Sequence, residues 1–329
     1  MQEVEVLSFP EKGKAPQTLS QLAKPVVLKG FVDHWPVVEQ ACQSDRALMQ
    51  YLSRYVADLS VTFYQVKPGV TGGRIGYLND FSGFTFDRLG GSFQEVLTLL
   101  MQEDVPRYIG STRIDRWLPG FRNENDVEFS SEKPLANFWI GNATDIAAHY
   151  DSPLNIACCV SGKRTFTLFP PEQVENLYIG PVDKTPSGRA ISMVDFSAPD
   201  FDRYPRFRKA LDHAQTVVLS PGDAIYIPPL WWHRVKSEGR VNMLVNYWWK
   251  ETPDHMGIPD LALEHAILAL RGLNDRDRSS WKALFDHYVF AEQNIATDAI
   301  PENLKGMLDP ENEQAARLAW INFSKKLNS

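Results

Sequence analysis

The chain has 329 residues, and with 43% hydrophobic and 12% aromatic residues it can bury the core of one large domain or two small ones. A formal charge of −7 disfavours broad contact with a phosphate backbone, so no nucleic-acid partner is expected. No apolar stretch approaches the ~20 residues that span a bilayer, and Met1 to Val6 has neither the basic start nor the apolar core of a signal peptide. Cys42, Cys158 and Cys159 form no disulfide framework. They read as reduced thiols, and the expectation is a cytoplasmic protein with no membrane partner.

In chain order, residues 1 to 20 are polar, with Pro10, Gly13 and Pro16, and read as an extended arm. Pro25 to Lys29 is a predicted strand ending in a turn at Gly30, and Trp35-Pro36 reads as another break. Asp45 to Ala57 has apolar residues at helical spacing, with Ser44 or Asp45 as N-cap. Val61 to Val66 is a β-branched and aromatic strand. Gly69 to Gly76 lacks the spacing of a phosphate-binding loop and reads as a turn or mobile loop. Ser92 to Glu103 is a predicted helix, opened by a capping box of Ser92 and Glu95. Arg107 to Gly110 is a short strand.

Two buried strands follow, over Phe138 to Ile140 and Ile156 to Val160. Further strands are predicted over Thr216–Leu219, Ala224–Ile227, His233–Lys236 and Val241–Trp248. Residues 172 to 213 interrupt them with Pro181, Pro186, Gly188, Pro199 and Pro205 and read as a substrate-facing rim. From Pro259 the texture turns helical, over Leu261–Leu270, Ser280–Phe290 and Glu311–Leu327. The fold class is mainly β with flanking helices, a double-sheet jelly roll or cupin barrel. The expected organisation is a flanking segment at 1–105, a barrel at 106–250 with its insert at 172–213, and a helical region at 251–329.

Chemistry concentrates in Ala148-His149-Tyr150-Asp151-Ser152-Pro153-Leu154-Asn155. Residues i and i+2 of a strand share a face, so His149 and Asp151 point together into whatever the sheet encloses. One imidazole and one carboxylate supply two thirds of the 2-His-1-carboxylate triad that holds non-haem Fe(II). His233 is the candidate third ligand, delivered by Pro221-Gly222-Asp223, a short strand and the Pro228-Pro229 break. The plain alternative is an aromatic core cluster with Trp231 and Trp232. Burying an imidazole among indoles costs free energy unless its nitrogens find partners, which a metal and an acceptor would supply. His34, His213, His255, His265 and His287 lack ligand-like company.

These motifs, with Gly162-Lys163-Arg164-Thr165-Phe166-Thr167-Leu168-Phe169-Pro170-Pro171, resemble the JmjC/cupin-like Fe(II)- and 2-oxoglutarate-dependent hydroxylases, and among them the asparaginyl hydroxylases. The likeness covers at least Leu135 to Lys250. It implies a JmjC-type double-stranded β-helix, Fe(II) on His149, Asp151 and His233, and 2-oxoglutarate as cosubstrate, decarboxylated to succinate and CO2. It also implies a cosubstrate pocket at Arg164, Tyr108, Asn155 and Asn246. Arg164 stands where the matching enzyme has lysine, and guanidinium can hold a carboxylate bidentately. Lys163 is the competitor, on the other face. A threonine usual three residues before the first histidine is here Ile146, which leaves Thr144 as its candidate replacement.

The resemblance implies a protein or peptide substrate; the alternatives are a cupin-type metal enzyme or 2-oxoglutarate oxygenase acting on a small molecule, and a non-enzymatic interaction protein. Val182 to Tyr204, with Phe196, Phe201 and Tyr204 as aromatic anchors, is the expected wall of a peptide groove. Leu261, Leu263, Ile267, Leu268 and Leu270 exceed what one helix needs to cover a barrel face. With the resemblance, they imply a homodimer through the C-terminal helices.

Overall fold

A computed structural model of the chain describes residues 1–7, 11–102, 105–130, 133–292 and 295–327, and it divides into two compact units, Met1–Lys250 and Glu251–Ser329. The strands of the first unit are β1 (Gln2–Glu3), β2 (Glu5–Leu7), β3 (Val26–Leu28), β4 (Ser60–Val66), β5 (Arg74–Ile75), β6 (Phe86–Ser92) and β7 (Arg107–Arg113). They continue with β8 (Leu135–Gly141), β9 (Asp145–His149), β10 (Leu154–Phe169), β11 (Gln215–Leu219), β12 (Ala224–Ile227) and β13 (Trp232–Trp249).

Two long strands make this a barrel. The first half of β10 lies between β12 and the second half of β13, in a major sheet of order β2-β3-β12-β10-β13-β8-β7-β4-β6. The second half of β10 lies between β11 and the first half of β13, in a minor sheet running β1-β11-β10-β13-β9-β5. Both strands therefore pass from one sheet to the other, and the register shifts around Ser161 and Lys163 mark the bend. Gly162 sits there at φ +74°, with no room for a side chain: an added Cβ would lie 2.0 Å from Asn242 Oδ1.

Alternation along β10 splits its side chains between two cores. Ile156, Cys158 and Val160 face outward, where the helices α1 (Pro36–Gln43), α2 (Asp45–Leu52) and α3 (Phe93–Leu100) pack with Trp35, Phe93 and Phe138. Ala157, Cys159, Phe166 and Leu168 face the barrel interior with Ile225, Val235 and Leu244. The two neighbouring cysteines thus lie in different cores.

Several boundaries differ from expectation. Trp35-Pro36 is no break but the start of α1, with proline in the first turn, where its missing N–H costs nothing. The predicted helix to Ala57 stops at Leu52; its cap, Ser44, accepts from Ala47 N at 3.1 Å. The capping box of Ser92 and Glu95 opens α3, which ends at Leu100; the predicted end at Glu103, like Pro10, lies outside the described residues. Glycine-rich β6 went unpredicted because two glycines mask its alternation; it pairs with β4 along its whole length. Arg74–Ile75, inside the expected loop at 69–76, runs parallel to the strand carrying His149. The strands expected at His233–Lys236 and Val241–Trp248 are one strand, β13, because the turn residues between them form its bend. A short helix, α4 (Ile114–Trp117), leads toward β8, and α5 (Phe207–Asp212) closes the insert.

The second unit holds α6 (Pro259–Leu270), α7 (Asp275–Tyr288) and α8 (Glu313–Leu327). Asn274 caps α7 by accepting from Asp277 N at 3.0 Å, and Trp320 Nε1 donates to His255 O at 3.2 Å.

Candidate active site

One cavity, about 390 Å³ including its open mouth, lies inside the barrel. His149, Asp151, His233, Arg164, Tyr108, Asn155 and Asn246 all line it. The remaining wall is mainly apolar, from Trp139, Ile146, Ala157, Phe166, Val235 and Leu244; a period of two from Asn155, His233 and Asn246 could have flagged Ala157, Val235 and Leu244.

His149 ends β9 and Asp151 follows in the loop, while His233 opens β13 directly opposite His149. The three side chains bring one potential ligand atom each within 4.8 Å of the others, and the two imidazole centroids are 4.4 Å apart. Each ring is aimed by the same local device. His149 Nδ1 donates to Ala147 O and His233 Nδ1 to Trp231 O, both at 2.9 Å. A carbonyl can only accept, so the proton sits on Nδ1 and leaves Nε2 with its lone pair free for a metal. Burial, reinforced by neighbouring His149 and opposed by Asp151, pushes the His233 pKa down to about 4, so at neutral pH it is in the uncharged, ligating form. Leu230 adds a link that sequence reasoning missed: held at φ +65°, it donates its backbone N–H to Asp151 O at 2.9 Å. Tyr150 points away and packs against Trp232, with centroids 5.0 Å apart.

Two imidazoles and a carboxylate suit a divalent ion such as Fe(II) and leave positions open. Arg164 is the second chemical signal. It is 2% exposed, its Nε has no hydrogen-bond partner, and burial lowers its pKa. The groups that act on it electrostatically are Tyr108, whose pKa burial raises, and Cys159, raised by burial to about 12; neither is an anion at neutral pH. A buried cation without a counter-ion is costly, and an incoming carboxylate would relieve that cost. Lys163, the competitor, is exposed on the other face.

Tyr108 stacks between Tyr64 and Trp139, at 6.2 and 6.1 Å. Trp139 Nε1 donates to Asn246 Oδ1 at 2.8 Å, and Asn246 Nδ2 faces Asn155 Oδ1 at 3.4 Å. The structure does not bring Thr144 to the cavity. Its hydroxyl is buried without a partner, but Ile146 lines the wall instead. The reason is a bulge: His149 pairs with His233 and Ile146 with Val235, so Ala147 and Ala148 together oppose Arg234. That extra residue puts Ile146 on the face of His149 and leaves Thr144 beyond the start of β9.

The insert also departs from expectation. Phe196, Phe201 and Tyr204 do not stand free along a groove. They pack around Phe207, Phe169 and Trp232, and the Phe196 and Phe207 rings are 4.7 Å apart. Fixing a connection as long as residues 172–213 needs a core of its own, and these aromatics supply it.

A family model described as a cupin-like domain matches residues 14–255. The chain belongs to the cupin-like family. Its homologues are oxygenases of the JmjC, Fe(II)/2-oxoglutarate type, which agrees with the donor set and the unpaired arginine. Lysine-specific demethylase 8 of Xenopus tropicalis is 27% identical over 232 residues, 69% of this chain and 48% of that protein. Lysine-specific demethylase JMJ31 of Arabidopsis thaliana is 35% identical over 126 residues, 36% of this chain and 22% of the relative. Human HSPB1-associated protein 1 is 33% identical over 151 residues, 45% and 29% respectively. This cupin-like chain thus spans less than half the length of each of these relatives. Among its described residues no helix is long and apolar enough to cross a membrane.

Proposed function

We propose that this chain is an Fe(II)- and 2-oxoglutarate-dependent oxygenase that hydroxylates a protein side chain. The observation that carries the reading is the conjunction, in one cavity, of a three-donor metal constellation and a buried guanidinium with no ion-pair partner among the described residues. When bound, iron and 2-oxoglutarate supply O2 activation and C–H hydroxylation, with release of succinate and CO2. The chain's own contributions follow from its geometry. His149, Asp151 and His233 would hold the ion with one donor atom each. Arg164, with the Tyr108 hydroxyl beside it, receives the distal carboxylate of the 2-oxoacid. Asn155 and Asn246 present amides along the same wall. Trp139, Phe166, Val235 and Leu244 keep that end apolar and exclude water.

A second reading, removal of an N-methyl group by hydroxylating it, is favoured by the names of two relatives, both lysine-specific demethylases. A cytoplasmic setting belongs to the same proposal, supported by three free cysteines of which two are buried. So do a peptide partner and a homodimer. The test is anaerobic loading with Fe(II), then succinate release from 2-oxoglutarate and O2 in the presence of a proteome-derived peptide pool. A peptide that gains one oxygen supports hydroxylation, and one that loses a methyl group moves the chain to the second reading. Ordinary turnover of a small metabolite, with no peptide modified, would overturn the protein-substrate proposal.

A further inference from the structure

Directly behind the two histidines, on the outer face of the minor sheet, lies an ion pair that the chemistry so far does not use. Arg234 follows His233 on β13 and so projects away from the cavity. Its Nε donates to Asp145 Oδ1 at 2.7 Å and its Nη2 to Asp145 Oδ2, a bidentate pair whose side chains are 15% and 10% exposed. Asp145 stands at the first position of β9, four residues before His149. The pair therefore spans the bulge at Ala147–Ala148, where β9 carries one residue more than β13. Without that bulge, His149 and Ile146 would fall on opposite faces.

The insert closes the arrangement. Arg234 Nη2 donates to Ser197 Oγ at 2.8 Å, Ser197 Oγ donates to Asp145 Oδ2 at 3.0 Å, and the guanidinium lies 5.6 Å from the centre of the Phe196 ring. Two residues earlier, Asp195 faces Arg74 Nη1 at 3.5 Å, from the strand that flanks β9 on its other side. The insert thus reaches both neighbours of β9, bonding the Arg234–Asp145 pair through Ser197 and pairing with Arg74 of β5 through Asp195.

We propose that Arg234 and Asp145 are positioning residues: their bidentate pair, completed by Ser197, clamps β9 to β13 across the bulge and sets the spacing of the His149 and His233 imidazoles. The inference rests on the reading of the cavity as a metal centre. It assigns the insert a role in holding that centre. A bulged strand has fewer ladder bonds to fix its pitch, and the clamp restores the constraint outside the cavity, where it cannot compete with the metal for donors. Arginine suits the task because its planar fork fixes direction as well as distance.

The experiment uses the full chain and Co(II) alone as a spectroscopic probe, in anaerobic titrations of the parent, Arg234→Gln, Arg234→Lys, Asp145→Asn, Ser197→Ala and the charge-swapped double variant Arg234→Asp/Asp145→Arg. Circular dichroism checks that each is folded. The clamp predicts a 10–100-fold loss of Co(II) affinity in Arg234→Gln and Asp145→Asn, the range for residues that orient ligands from behind. It also predicts altered visible d–d bands in both, partial recovery in Arg234→Lys, and a smaller effect in Ser197→Ala. Recovery of affinity and spectrum in the swapped pair would be further support. If the folded variants bind Co(II) with parent affinity and an unchanged spectrum, the clamp is overturned while the metal centre stands. Should Arg234→Gln and Asp145→Asn fail to fold, Arg234→Lys and Ser197→Ala decide: both matching the parent in affinity and spectrum overturns the proposal. If the parent takes up no Co(II), the metal-centre reading falls, and the clamp with it.

Discussion

Arg164 makes a prediction of two opposite signs. Replacing it by Met exchanges an uncompensated buried cation for an apolar side chain of similar length, which should leave the thermal midpoint of the ligand-free protein unchanged or raise it. The same substitution should weaken 2-oxoglutarate binding by ~1.5–3 kcal/mol, the scale of a charge-assisted hydrogen bond, with metal affinity nearly unchanged. Calorimetric titration measures both ligands. Equal 2-oxoglutarate affinity in the variant would take the carboxylate away from Arg164. At the metal, His233→Ala should abolish stoichiometric Fe(II) uptake in an anaerobic titration, and tight binding in that variant would disprove the triad. The thiols separate just as sharply. Cys42 is exposed, whereas burial raises Cys158 well above the ordinary thiol range and Cys159 to about 12. Since only the thiolate reacts, one thiol should be titrated by a disulfide reagent at pH 8 in the native protein and three after unfolding.

At the scale of elements, the bend of β10 is the most exposed to test. Gly162→Ala places a Cβ against Asn242 in a left-handed conformation. It should cost ~2–4 kcal/mol in urea unfolding, the range of backbone strain plus a forced shift. Because Arg164 follows two residues later, 2-oxoglutarate affinity should fall as well. The insert calls for the opposite result from that expected of a free groove wall. Phe196 and Phe201 belong to an aromatic core, and Arg208 lies 3.9 Å above the Phe201 ring. Replacing both by Ala should lower the unfolding midpoint and reduce substrate-coupled and uncoupled succinate formation together. Loss of coupled activity alone would restore them as peptide anchors.

At the scale of the whole molecule, residues 251–329 pose a problem of burial. Among the described residues of this unit, no large apolar side chain is buried, while Leu261, Leu263, Leu268, Trp281, Leu284 and Phe290 are all exposed. A three-helix unit with so much uncovered apolar surface requires another surface. A second copy of the chain is the proposed one. Light scattering at micromolar concentration should give the mass of a dimer, and Leu263→Glu with Leu268→Glu should give a monomer that still binds Fe(II). A monomeric parent would remove the idea.

The ligand set, the barrel class and the helical C-terminal stretch were legible in the sequence because each rests on local rules. His149 and Asp151 share a short segment, β-branched runs alternate with turn signals, and apolar residues recur at helical spacing. Strict alternation, however, gives the wrong face wherever a strand gains a residue. Ala157 and Arg164 are an odd number of positions apart, yet both line the cavity, because the irregularity around Gly162 shifts the parity. Ala147 and Ala148 do the same on β9, which seats Ile146 and not Thr144 in the wall. The fate of the insert aromatics depended on partners such as Phe169 and Phe207, brought together only by folding. Composition and periodicity therefore determined which residues could do chemistry. Bulges, long-range register and the packing of an irregular segment decided which of them meet, since each depends on pairings between residues far apart in the chain.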